Sequence, residues 1–152
     1  MVLAATPQDA SYQIVLLIHI VSFLVAFAPA AINPLLEAHF AKNGDDATMQ
    51  TWAKFTSNYT SRIALGGLGL LFITGIIMIL MWDGWEFSQT WISLAFLVWF
   101  AIGGVVSAMI LKGEKQMAAG DMSGRDLVAK GGPIATVLLL IMLYLMIFKP
   151  GF

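Results

Sequence analysis

The fold class this sequence predicts is an all-α integral membrane bundle of four transmembrane helices, with both termini on the non-cytoplasmic side. Three observations carry that expectation. The 152 residues are 59% hydrophobic and 11% charged, with a mean hydropathy of +0.84, which is roughly half the charge of an average soluble domain. Four stretches, about 12–36, 63–82, 90–111 and a shorter one at 133–148, are apolar enough for a hydrocarbon core that takes about 20 helical residues. The basic residues are sorted: Lys42, Lys54 and Arg62 separate the first two stretches, and Lys112, Lys115, Arg125 and Lys130 the last two. Lys149 is the only other one, so the positive-inside rule makes the segments 37–61 and 112–132 cytoplasmic. Little chain lies outside the spans, and residues 1–152 read as one domain.

Taken in order, the segment before Tyr12 carries Asp9 and no basic residue, and the apolar run behind it is too long for a signal-peptide core, so it reads as retained. The first stretch, Tyr12 to Leu36, holds His19, Ser22, Pro29, Asn33 and Pro34. Two prolines five apart remove two backbone donors, which predicts a bend between Ala26 and Asn33 with Asn33 answering the freed groups. The segment Glu37 to Ser61 repeats Met49, Trp52, Phe55 and Tyr59 at helical spacing, as an extension of the first helix or an interfacial amphipathic helix would.

The second stretch, Ile63 to Trp82, contains Gly66, Gly67 and Gly69. The short connection Asp83 to Gln89 makes it antiparallel to the third, with Trp82, Trp85 and Trp91 as an aromatic belt. The third stretch, Thr90 to Leu111, carries Gly103, Gly104, Ser107 and Ala108, and small residues of this kind predict close helix approach. The segment Lys112 to Gly132 contains five glycines and reads as a mobile connector with a helix start at Ser123-Gly124-Arg125-Asp126. Pro133 to Phe148 completes the set.

Several function classes drop out. There is no cysteine for a disulfide or thiolate, and a net charge of −1 without a basic run offers nothing to a nucleic acid. No phosphate-cradling glycine motif occurs in the second cytoplasmic segment. The nine acidic residues fall at helix ends or in loops, so no pair of buried carboxylates is expected, which argues against a carboxylate-driven ion pump. His19 is the candidate for chemistry. It could ligate haem iron, bond a neighbouring helix or relay a proton. His39 lies 20 residues on, about 30 Å along a helix, and cannot share a haem with it. Met78, Met81, Met142 and Met146 could supply a second ligand, but nine methionines in so apolar a chain are better read as packing.

The run Leu17-Ile18-His19-Ile20-Val21, with Ala28, Pro34, Leu36 and His39, resembles the first helix of HemJ-type protoporphyrinogen oxidases, small four-helix membrane proteins that bind haem. Arg62-Ile63 with Gly75 resembles the second helix of that family, and the closing Phe148-Lys149-Pro150-Gly151-Phe152 its terminal lysine-proline. The resemblance implies His19 as a ligand to haem b. The family's helix-three histidine and lysine fall here on Ser93 and Ala95, so the oxidase chemistry is not implied with it. Two functional expectations follow. One is a non-catalytic accessory subunit of a larger complex in a bacterial inner membrane, with lipid and other membrane subunits as partners. The other is a haem-binding redox protein, or diverged tetrapyrrole oxidase, using His19.

Overall fold

The computed structural model describes residues 7–151, apart from the side chains of Ala30, Ala31, Pro34 and Ala41. The N-terminal residues read as retained, the Pro34 ring and the closing Phe152 therefore fall outside the described residues. Among the described residues the secondary structure is all helical: α1 (Ala10–Asn43), α2 (Asp46–Phe55), α3 (Ser61–Met81), α4 (Thr90–Val105), α5 (Lys112–Ala118) and α6 (Gly124–Phe148). A π-helical turn at Thr56–Thr60 fuses α2 to α3, and another at Val106–Leu111 fuses α4 to α5. Four helical stretches are thus long and apolar enough to cross a membrane: Ala10–Pro29, Asp46–Met81, Thr90–Ala118 and Gly124–Phe148.

The helices run well past the apolar stretches, which agrees with the helical reading of 37–61 and corrects the connector expected at 112–132. Within 37–61, α1 continues to Asn43 and ends as Gly44 N–H bonds the Phe40 carbonyl. Only two residues then separate it from α2, which Asp45 caps by accepting from both the Thr48 amide and hydroxyl at 2.8 Å. Within 112–132, the expected mobile connector shrinks to 119–123. Gly120, at φ +92°, closes α5: its own N–H bonds Met117 O, and Asp121 N–H reaches Gln116 O, the paired bonds of a Schellman ending. The helix start at Gly124 is as expected. The neighbouring glycines serve close approach: a Cβ on Gly113 would lie 2.5 Å from the Gly124 carbonyl, so α5 and α6 meet backbone to backbone.

Two apolar cores stack along the bundle. Phe27, Leu68, Leu71, Ala95, Ile102, Met142 and Leu145 fill the membrane-length part. Met49, Ala53, Met117 and Val128 form a second core at the basic end, where α2 rests on α5 and α5 on α6. The amphipathic stripe of α2 is therefore divided. Met49 is buried in the bundle, while Phe55 and Tyr59 stay exposed and continue an aromatic row from Trp52.

Close packing is more selective than the small residues suggest. Gly67 lets α1 approach α3, since a Cβ there would lie 2.8 Å from Ala26 N and 3.0 Å from Ser22 O. Gly66, Gly69, Gly103 and Gly104 have nothing within 4 Å of such a Cβ. The antiparallel α3 and α4 are bridged by aromatic bulk: the Phe72 and Trp99 rings lie 4.4 Å apart, and Trp99 Nε1–H donates to Leu68 O. At the other end, the tryptophans do not all face outward. Trp91 is buried, Trp85 stands edge-on to Trp82 and Trp91, and its Nε1–H donates to the Tyr12 hydroxyl. Lys149, at the left-handed end of α6, places its ammonium 4.7 Å from the Trp85 ring centroid.

Candidate functional site: a cavity with two carboxylates

Because α1 packs along α3 while α4 packs along α6, a wedge remains between α1 and α6. It forms a cavity of about 330 Å³, at the lower end of the range of small-molecule sites. Phe27, Leu65, Leu68, Ile102, Val106 and Ile110 give it apolar walls. Polar groups gather toward the basic end: Asn33 and Glu37 from α1, Ser61 from α3, Glu114 from α5 and Arg125 from α6. Asn33 thus takes a place in the cavity wall.

Glu114 is 1% exposed and accepts a hydrogen bond from the Ser61 hydroxyl at 2.5 Å, with the buried Thr56 hydroxyl also beside it. The two π turns explain this meeting. An α-helix overshoots a full turn by about 40° every four residues, so Ile102, Val106, Ile110 and Glu114 would drift off one face. The wider turn at Val106–Leu111, with its i→i+5 bonds, takes that drift back and keeps Glu114 on the inner stripe. In the same way Thr56 and Ser61, five apart, both come to bear on the Glu114 carboxylate across the other π turn.

Glu37 lies past the apolar window Ala10–Pro29 and is half-buried. Burial pushes its carboxyl up to about 7; the neighbouring Glu114 adds to the rise, and Arg125 opposes it. The expectation that the acidic residues stay clear of the interior is corrected for Glu114, which is fully buried, with the half-buried Glu37 in the same cavity lining. Glu37 and Glu114 lie at helix ends in the sequence, but the helices carrying them extend into a second packed layer. An available signal was the inner stripe Ser22, Ala26, Asn33, Glu37, whose spacing continues past the apolar run.

His19 sits elsewhere, on α1 nearly two turns from Ala26, where the cavity lining begins. Its Nδ1 lies 2.9 Å from Thr74 Oγ1 on α3, a hydroxyl partner on a second helix for a histidine set in an apolar stretch. Gly75 makes room for the ring, with Cε1 3.4 Å from the place of a Cβ. Thr74 Oγ1 lies 2.7 Å from Leu70 O and 3.1 Å from Leu71 O, so its one proton is directed to backbone carbonyls. Nδ1 must then carry the hydrogen toward Thr74, which leaves Nε2 with a free lone pair. Met142 is buried in the main core and Met146 packs against it. His39 is exposed at the basic end, 3.4 Å from the Asn43 amide. Among the described residues, no three His, Asp or Glu side chains converge to hold a metal. Protein-family models, curated proteins and solved structures yield no match to this chain.

Proposed function

We propose that this chain is a four-span integral membrane protein of a bacterial inner membrane that holds a small molecule between its spans, with its basic end cytoplasmic and both termini outside. The cavity between α1 and α6 is the observation that carries the binding role: apolar walls lead to a polar end built from four helices. The sidedness rests on the separation of Lys42, Lys54, Lys112, Lys115 and Arg125 from the tryptophan end. The absence of cysteine makes a clean test of topology. A membrane-impermeant maleimide added to intact cells should label Ser88→Cys and spare Ser123→Cys; the reverse pattern overturns the orientation. Binding is tested in nanodiscs with phenylethyl alcohol as an apolar probe, which should saturate on the native chain and not on Ala64→Phe, whose new ring fills the cavity.

A role as accessory subunit is supported by a different surface. Gly104, Ser107 and Ala108 present a small, open row on the outside of the fused α4–α5 helix, against which a partner's helix could pack closely. Co-purification of a second membrane chain with the native protein, lost on Gly104→Leu, is the expected result. The HemJ-type resemblance supports a third role, haem ligation by His19. The free Nε2 fits a haem ligand, although the cavity lining does not include this histidine. A Soret band abolished by His19→Ala would support that role, and a colourless protein from haem-replete cells would remove it.

A further inference from the structure

The polar end of the cavity holds two carboxyl groups and one guanidinium. Glu37 comes from α1 and Glu114 from α5, while the one basic side chain in the lining, Arg125 of α6, remains at the exposed rim. The α3 side contributes the hydroxyls of Thr56 and Ser61 around Glu114, and α4 with its π turn contributes the apolar Ile102, Val106 and Ile110. Ser61 already serves Glu114, whereas Glu37, half-buried on α1, is the carboxylate left to meet an occupant. Uncharged apolar walls with two carboxylates at one end are complementary to a molecule with a hydrocarbon body and a cationic head.

Resting on the cavity's role as a binding site, we propose that its occupant is an amphipathic primary amine, whose ammonium group lies at Glu37 and whose apolar body lies between Phe27, Leu68 and Ile102. Binding exchanges one cation for another: the ammonium enters against the Glu37 carboxylate, and the proton held by that carboxyl leaves to bulk water. An amine of ordinary basicity stays charged across the range where Glu37 titrates, near 7, so the linkage comes from the protein.

The test uses the full chain in nanodiscs and two probes of nearly equal shape, phenylethylamine and the uncharged phenylethyl alcohol. At about pH 8 the amine should bind about ten- to hundredfold more tightly, the range of one charge-assisted hydrogen bond. Its affinity should fall about tenfold toward pH 6, while that of the alcohol stays constant. Calorimetry in buffers of different ionisation enthalpy should show proton release with the amine alone. Glu37→Gln should remove the preference and the pH dependence while retaining alcohol binding, which also shows that the variant is folded. Equal binding of both probes by the native chain overturns the amine assignment and leaves the binding site standing. Failure of both probes to bind overturns the binding site itself.

Discussion

Gly67 and Gly69 stand two residues apart in the same helix and should respond oppositely to alanine. A Cβ on Gly67 would lie 2.8 Å from the amide nitrogen of Ala26 and 3.0 Å from the Ser22 carbonyl oxygen, whereas one on Gly69 would meet nothing within 4 Å. Both obstacles at Gly67 are backbone, so no side chain can turn aside and α1 itself must move. Overpacking of that kind costs about 1–3 kcal/mol. Each substitution also gains up to about 1 kcal/mol of helix propensity, but that gain is common to both and cancels in their difference. Gly67→Ala should therefore be less stable than Gly69→Ala by about 1–3 kcal/mol, with Gly69→Ala at or above the native chain. Reversible unfolding in mixed micelles of increasing dodecyl sulfate content, followed by helicity, measures the difference. Equal midpoints for the two variants would refute the close approach of α1 to α3.

The remaining expectations concern the cavity, the histidine and the first cap. Burial raises the Glu37 carboxyl from 4.5 to about 7, so its contribution to stability is full below the unfolded value and is lost as the pH rises through about 7. The complete shift corresponds to about 3 kcal/mol, reduced by the half-exposed setting to about 1 kcal/mol; thermal unfolding should show this loss in the native chain and not in Glu37→Gln. Thr74→Val leaves the His19 Nδ1–H without its acceptor and should cost about 1–3 kcal/mol, part of which His19→Leu recovers in the same background. The carboxyl of Asp45 is held below its ordinary value by the Thr48 amide and hydroxyl, so its capping is present above the unfolded value and lost as the pH falls. Protection factors for amide exchange across Asp46–Phe55 should fall on acidification, and Asp45→Ala should show the lowered protection at every pH.

What the sequence determined by itself is the part governed by solvent transfer. Long apolar runs have one stable arrangement in a hydrocarbon core, so the four helices and their short connection at Asp83–Gln89 follow from composition. Charge sorting likewise gathered Lys42, Lys54, Lys112, Lys115 and Arg125 at the end away from Trp82, Trp85 and Trp91, and the isolated His19 called for a partner such as Thr74. Tertiary structure decided what a single-helix reading cannot contain. Glycine reports that a close approach is permitted, yet which glycine is used depends on the partner: Gly67 meets α1, while Gly103 and Gly104 meet nothing. The polar segment 112–132 looked like a connector, and 37–61 like a surface helix, because their helices are not apolar throughout. They are held by each other, with Met49 and Ala53 against Met117 and Val128. The cavity carboxylates depended on the π turns, whose altered periodicity brings Glu114 and Ser61 together, 53 positions apart in the chain. A pattern sought at 3.6 residues per turn leaves both off the inner face, because that rotation is fixed by how the helices pack together.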